Sequence, residues 1–229
     1  MIVLIYKWLE MVRRWIVAVG VIGIIYISIW TAKYMDFHFG WYFFTIPIFY
    51  FISLWVEKML AWLVFKLVWL RKWIIGKNHF IEGHWIEVLL ENNKMQSVAI
   101  LQIVYEPTNQ YTIKGESYTL TGEYRGSFVT PNTTYSPEEH TLKYSYAGKF
   151  KESLIAGTGA LSFASSEAEK EVPEKFSGHL LDNFHFKGAS FYGERIHDLS
   201  KIATLRAKKD YLFVYVSAQI LHHKARMMR

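Results

Sequence analysis

The sequence contains no cysteine and only five prolines, and only 20% of its 229 residues are charged. The lack of cysteine excludes a disulfide scaffold, a thiolate-ligated metal site and a cysteine nucleophile. Because 52% of the residues are hydrophobic, the composition also excludes an intrinsically disordered chain. The remaining classes are a globular domain and a membrane protein.

The sequence also lacks the common catalytic and nucleotide-binding motifs. It has no G-x-S-x-G nucleophile elbow, no P-loop and no pair of histidines at zinc-binding spacing. The stretch 157–159 (GTG) lacks the third glycine of a dinucleotide-binding fingerprint, so a strand bend is the better interpretation. His179, His185 and His197 have no carboxylates at fixed spacing that would complete a metal site. We therefore expect no enzyme activity, no catalytic residue, no metal and no permanently bound cofactor.

Basic charge and tryptophan are concentrated in the N-terminal third of the chain. Residues 1–80 carry nine Lys or Arg against three Asp or Glu, whereas residues 81–229 carry seventeen of each. Eight of the nine tryptophans precede residue 74, and Trp85 is the remaining one. We therefore predict a membrane anchor with a basic and aromatic juxtamembrane segment in residues 1–77, followed by a soluble domain in residues 78–229.

Two long apolar runs predict a transmembrane helical hairpin. Residues 15–31 contain no charge and would span about 26 Å as a helix. Residues 37–56 contain one titratable group, His38, and would span about 30 Å. The short connection between the two runs makes the helices antiparallel. Pro47 would free a backbone acceptor inside the second helix, and lipid tolerates this only where a neighbouring group covers the gap.

The basic residues lie at the outer ends of this hairpin. Three Lys or Arg residues precede the first run and five follow the second, which predicts that both termini are cytoplasmic. A third apolar run, residues 59–75, contains Lys66, Arg71 and Lys72, which argue against a third crossing. We interpret it as a helix that lies in the membrane interface or that continues the second span.

The soluble domain has the pattern of an all-β fold. Short β-branched and aromatic segments alternate with turn residues at intervals of about ten, which predicts an antiparallel β-barrel of about eight strands. Residues 198–209 suit a short helix and residues 211–220 one more strand. The predicted strands are 85–90, 98–106, 111–114, 118–124, 127–130, 142–150, 154–163, 176–181 and 189–196.

A barrel of this size holds either packed side chains or one small ligand. Glycines inside the strands either make corners or leave room for a ligand. Arg125 and Arg195 are unusual in an acidic region, because residues 82–194 carry fifteen acidic against nine basic residues. Each arginine pairs either with a neighbouring carboxylate, Glu123 or Glu194, or with a ligand phosphate.

Arginine beside tyrosine suits a nucleotide pocket, because guanidinium binds phosphate through two hydrogen bonds and aromatic faces stack on bases. The acidic balance predicts no binding to DNA or RNA. The residues predicted to bind a small ligand are Tyr118, Thr121, Tyr124, Arg125, Tyr144, Tyr192 and Arg195.

The first predicted strand opens with the stretch 81–85 (IEGHW), whose G-x-W resembles the signature of lipocalin-like barrels. Lipocalins are secreted and lack the anchor predicted here. Over nearly its full length, the chain resembles the two-transmembrane, β-strand-rich effectors of bacterial cyclic-oligonucleotide-based anti-phage signalling systems (CBASS). This resemblance rests on the architecture, the chain length and the IEGHW opening.

The resemblance implies an antiviral effector in the bacterial inner membrane. A cognate nucleotidyltransferase would make a cyclic dinucleotide during infection, and the cytoplasmic barrel would bind it as the activating ligand. The transmembrane segments would then form a homo-oligomer that disrupts the lipid bilayer and causes abortive infection. Two alternatives remain: a membrane-tethered, lipocalin-like carrier of an apolar ligand, and a non-enzymatic membrane scaffold whose barrel binds another protein.

Overall fold

The structure is a computed structural model. It describes residues 11–12, 14–15, 18–20, 22–23, 26, 42–92, 94–106, 110–150, 153–164, 172–183 and 188–227. The chain divides into two compact units, Met1–Ile75 and Gly76–Arg229. The first unit contains helices and the second contains a β-barrel with a C-terminal helix.

In the first unit, helix α1 (Tyr42–Lys66) is followed by helix α2 (Val68–Ile75). The Arg71 guanidinium donates hydrogen bonds to the carbonyl oxygens of Val64 and Phe65 at 3.1 and 2.5 Å. These carbonyls belong to the last turn of α1, which runs without interruption from Tyr42 to Lys66. Residues 59–66 therefore continue α1 rather than starting a separate helix.

Among the helices that the structure describes, none combines the length and the apolar character needed to cross a membrane. Most of the predicted first span, residues 15–31, lies outside the described residues, as do residues 37–41 of the second. The transmembrane hairpin therefore stays a prediction.

The second unit is a closed barrel of eight antiparallel strands, which confirms the predicted barrel. Each strand pairs with the next along the chain, and the last pairs with the first, so the barrel has no free edge. A 3-10 turn (Lys77–His79) precedes the barrel. The strands are β1 (Gly83–Glu91), β2 (Lys94–Glu106), β3 (Gln110–Tyr118), β4 (Tyr124–Ser136), β5 (Thr141–Phe150), β6 (Ser153–Phe163), β7 (Lys175–Asp182) and β8 (Ala189–Ile196).

Two of these strands are longer than predicted. Strand β3 continues through Gly115, which lies between the predicted strands 111–114 and 118–124, and a Cβ at this position would lie 2.2 Å from the Phe128 ring. The glycine makes room for that ring and does not end the strand. Strand β4 continues through Pro131, which lies in a β-bulge between Val129 and Asn132. A bulge accepts proline because the regular ladder is interrupted there. The predicted strands 111–114 and 127–130 are therefore parts of the longer β3 and β4, whereas the predicted strand 118–124 is wrong because residues 119–123 form a turn.

The predicted strand at 211–220 is also wrong, because these residues belong to helix α3 (Leu205–Met227). The predicted helix at 198–209 is instead a 3-10 turn (Leu199–Ile202) followed by the start of α3. Leu212 and Val216, one helical turn apart, are 1% and 4% exposed and pack against the outer face of β1 and β2. This packing covers Ile86 and Val88 on β1.

Aromatic rings fill most of the barrel interior. They contact each other edge to face across the barrel: Trp85 on β1, for example, meets Phe163 on β6 and Phe176 on β7 with ring centroids 5.3 and 5.4 Å apart. The strand glycines lie beneath these rings: a Cβ at Gly178 would be 2.4 Å from the Phe191 ring, and one at Gly193 would be 2.3 Å from the Phe176 ring. The space at these glycines is therefore occupied by side chains of the barrel itself.

Candidate functional site: the open end of the barrel

The two ends of the barrel differ in how they are closed. At one end Trp85 is fully buried, and its indole nitrogen donates a hydrogen bond to the Ile81 carbonyl oxygen at 3.1 Å. The Arg195 guanidinium lies over the indole ring, 4.3 Å from its centroid. Such stacking of a cation on tryptophan is favourable.

Arg195 also joins three chain segments at this end. Its Nη1, Nη2 and Nε donate to the carbonyl oxygens of Glu82, Phe80 and Pro173 at 2.5, 2.9 and 2.8 Å. Burial lowers the pKa of Arg195 to about 10, and the nearby carboxylates of Glu174 and Glu82 oppose this shift. Because its donors are directed at backbone carbonyls, Arg195 closes the barrel and does not face a ligand cavity.

Gly83 of the G-x-W stretch has a positive φ of 138°, and a Cβ there would lie 2.8 Å from the Arg195 guanidinium. The glycine therefore allows both the backbone conformation and the close approach of the arginine. The stretch marks the closed end of the barrel.

The opposite end contains a cavity of about 70 Å³ between β1, β2, β3, β4, β5, β6 and β7. Arg125 is exposed at its rim, and the aromatic rings of Phe128, Tyr146 and Phe150 form part of its wall. The complete lining is Glu87, Leu89, Ser97, Ala99, Ser117, Arg125, Phe128, Tyr144, Tyr146, Phe150, Ile155, Leu180 and Asp182.

Ionisable groups are concentrated in this cavity. Glu87 points inward from β1, is 7% exposed, and burial raises its pKa to about 8. The Tyr146 hydroxyl donates a short hydrogen bond to Asp182. Burial, followed by this hydrogen bond, raises the pKa of Tyr146, and burial raises the pKa of Tyr144 as well. Perturbed groups of this kind in a cavity are characteristic of binding sites.

Two of the predicted ligand-binding residues, Arg125 and Tyr144, line the cavity together. Arg125 forms no ion pair or hydrogen bond with any residue that the structure describes, so its pairing with Glu123 is not observed. Its guanidinium is therefore available to an anion in solution.

The other five predicted residues lie elsewhere. Tyr118 is buried beneath α3, with its hydroxyl 2.6 Å from Glu116, and the Tyr192 hydroxyl donates to Gln219 on α3 at 3.1 Å. Thr121 lies in the turn between β3 and β4, and Tyr124 is exposed beside Tyr118, with the ring centroids 5.8 Å apart. Arg195 lies at the closed end. Thr121 and Tyr124 were misplaced because residues 119–123 form a turn and are not part of a strand.

Sequence reasoning missed Glu87, Asp182 and Tyr146. The sequence does contain a signal for Glu87. Trp85, Glu87 and Leu89 are spaced two residues apart on β1, so the charged Glu87 lies on the same strand face as the buried tryptophan. Asp182 follows the predicted strand 176–181, whereas in the structure it is the last residue of β7.

A second concavity, of about 640 Å³, lies on the outer wall of the barrel. Three lysines line it, Lys114, Lys149 and Lys208, and Lys208 forms an ion pair with Glu116 at 2.6 Å. Burial, followed by the charge of Lys208, lowers the pKa of His84 in this groove. The groove therefore offers an anion a second, basic surface on the same barrel.

No family model, curated protein or solved structure matches the chain.

The predicted absence of a metal site concerns three histidines. His197 contacts Glu174 at 2.6 Å, His179 lies on the outer face of β7, and His185 lies outside the described residues. Within the described ranges, no three His, Asp or Glu side chains lie close enough together to hold a metal ion.

Proposed function

We propose that the chain is a non-enzymatic antiviral membrane effector whose barrel binds a cyclic dinucleotide at its open end. On binding, the chain oligomerises in the bacterial inner membrane and disrupts it. The observation that supports this proposal is the rim of the cavity, where Arg125, which pairs with no described residue, lies next to aromatic rings.

Arg125 supplies the contact for phosphate. Its exposed guanidinium can form two parallel hydrogen bonds to a phosphodiester, and these are stronger than bonds between neutral groups. Its position at the rim keeps the charged backbone of the ligand in water, which avoids the cost of burying two phosphates.

The rings of Phe128, Tyr146 and Phe150 supply the contact for a base. Stacking of a base on an aromatic side chain contributes about 1–3 kcal/mol. The present cavity of about 70 Å³ accommodates the edge of a base, whereas sites for small molecules commonly measure about 300–1,000 Å³. Most of a cyclic dinucleotide would therefore lie outside the barrel, across its mouth.

For ligand binding to drive assembly in the membrane, the monomer and the assembled chain must differ in their affinity for the ligand. A ligand drives assembly only if the assembled chain binds it more tightly than the monomer does. To shift an equilibrium from 1:99 to 99:1, the difference in affinity must be about 10⁴-fold. A site at the barrel mouth satisfies this requirement if neighbouring subunits share the part of the ligand that projects from it.

Two features favour the scaffold alternative, the small cavity and the aromatic rings that fill the interior. Side chains of the barrel itself already pack its core, so no ligand is needed to fill it. The apolar carrier is less compatible with the structure. A hydrocarbon chain in the cavity would contact the Glu87 carboxyl, and burying a carboxyl against apolar groups is unfavourable.

The proposal is tested by calorimetric titration of the full chain in detergent micelles with a panel of cyclic dinucleotides and a fatty acid. We expect micromolar or tighter binding of a cyclic dinucleotide and a loss of at least tenfold in affinity for Arg125→Ala. Lys149→Ala is the matched control, since it removes one positive charge from the outer groove and none from the rim.

Lack of binding to every cyclic dinucleotide in the panel would reject the proposal. Binding that is lost in Lys149→Ala but kept in Arg125→Ala would move the site to the outer groove. Fatty-acid binding alone would favour the carrier.

A further inference from the structure

The Glu87 carboxyl has no hydrogen-bond partner among the residues that the structure describes, although it is 7% exposed and lines the cavity at the open end. Buried polar side chains in native proteins almost always have a partner. A buried carboxyl that faces a cavity without one is therefore a candidate for direct contact with a ligand.

The surroundings of Glu87 indicate which ligand group would fit. The titratable groups that face the cavity with it are Tyr144 and Tyr146 on β5, Asp182 on β7 and Arg125 on β4. Tyr146 donates its hydroxyl hydrogen to Asp182, and Arg125 is exposed at the rim. No buried cationic side chain balances Glu87 within the described lining, so the cavity favours a neutral group that carries N–H donors.

The size of the cavity restricts that group further. The volume of about 70 Å³ has room for a few water molecules and is far below the roughly 300–1,000 Å³ of sites that enclose a small molecule. An amino group and the adjacent ring nitrogen of a base fit such a space. The Phe128 and Tyr146 rings form part of the cavity wall and contact each other edge to face, with centroids 5.6 Å apart.

We propose that Glu87 is the base-selecting residue of the barrel and contacts the Watson–Crick edge of a cyclic dinucleotide base that enters the cavity. This inference rests on the proposed function. A neutral carboxyl offers one donor and one acceptor, which matches the N1 acceptor and the amino donor of adenine. An ionised carboxylate offers only acceptors, which matches the two adjacent N–H donors of guanine.

The protonation of Glu87 then sets the preference between bases. Burial raises the pKa of Glu87 to about 8, so the neutral form predominates at pH 7 and an adenine edge is favoured. As the pH rises from 6.5 to 8.5, the neutral fraction falls about fourfold and the ionised fraction rises about 25-fold. Affinity for an adenine edge should therefore fall about fourfold, while affinity for a guanine edge should not fall.

The test uses cyclic di-AMP and cyclic di-GMP with the full chain in detergent at pH 6.5 and pH 8.5. We expect the ratio of the cyclic di-AMP affinity to the cyclic di-GMP affinity to fall at least fourfold between these values. In Glu87→Gln, which keeps the shape and one donor and acceptor but does not titrate, the ratio should be the same at both pH values.

Glu123→Gln is the matched control, because Glu123 is an exposed carboxylate in the turn between β3 and β4 at the same end of the barrel. This variant should keep the pH dependence of the wild type. The wild-type titration is informative by itself if Glu87→Gln fails to fold.

Two failures are distinguishable. If the wild type binds neither nucleotide, the proposed function and this inference are both rejected. If it binds either nucleotide with a ratio that is independent of pH, or with the same pH dependence in Glu87→Gln, only the role of Glu87 is rejected.

Discussion

Replacement of Arg195 by alanine tests the described structure of the closed end. The substitution removes three hydrogen bonds from a charged donor, each worth about 1.5–3 kcal/mol, and a cation–π contact worth about 0.5–2 kcal/mol. Single substitutions rarely cost more than about 4–5 kcal/mol, because the surroundings relax and water reaches some of the freed acceptors. We therefore expect a loss of about 4 kcal/mol in the free energy of unfolding.

For a domain of about 150 residues, about 4 kcal/mol corresponds to a decrease of about 8–16 °C in Tm. The unfolding of the full chain in detergent can be followed by far-ultraviolet circular dichroism, which reports the loss of the barrel strands. Arg195→Lys should lose about half as much stability, since an ammonium group keeps the charge but cannot reach three carbonyls in one plane.

Arg125→Ala is the control for this experiment, because it removes the same residue type from the exposed rim. Its free energy of unfolding should change by no more than about 0.5 kcal/mol. A melting temperature of Arg195→Ala within about 2 °C of the wild type would show that Arg195 does not hold the closed end together.

Three further predictions concern stability and are measured by the same melting experiment. Because the pKa of Glu87 is raised to about 8 in the folded state, the folded chain binds more protons than the unfolded chain between about pH 4.5 and 8; its stability should therefore fall as the pH rises through this window, by several kcal/mol in total. Glu87→Gln should remove this dependence, and an unchanged slope would contradict the assigned burial. Gly178→Ala should cost about 1–3 kcal/mol, since a Cβ there lies 2.1 Å from a backbone oxygen of β6, whereas Ser177→Ala on the exposed face of β7 should be nearly neutral. Leu212→Ala should cost about 2–5 kcal/mol because Leu212 is 1% exposed, and Phe213→Ala should be nearly neutral because Phe213 is 63% exposed; equal effects would argue against the helical packing of α3.

The barrel was predictable because its signal is local. Alternation with period two is seen in residues 101–106 of β2 and along β7, and turn residues separate most strands, so the number and direction of the strands follow from neighbouring residues. Helix α3 was not predictable in the same way, because its β-branched and aromatic residues have high strand propensity and its burial depends on β1 and β2. The apolar residues on both faces of β1 were the available signal that another element covers the barrel.

The candidate site was predicted in part for a similar reason. Arg125 and Tyr144 were identified from residue type alone. The structural role of Arg195 could not be predicted, because two of the carbonyls that accept its hydrogen bonds belong to Phe80 and Glu82. These residues precede the first strand of the barrel, 115 and 113 residues before Arg195 in the sequence. Glu87 required knowledge of which strand face is the interior, and that follows only when the whole barrel is closed.

The barrel can close only after its last strand has been synthesised, because β1 pairs with β8. Trp85 on β1 pairs with Arg195 on β8, which is synthesised roughly 110 residues later. Until then, one edge of β1 has no strand to pair with. At about 5–20 residues per second, a ribosome needs about 5–20 s to deliver that partner. During this time the edge of β1 is open to pairing with other chains, and the inward-facing charge of Glu87 makes such pairing less favourable. We therefore expect Glu87, the residue that we assign to ligand selection, to reduce aggregation of the nascent chain as well.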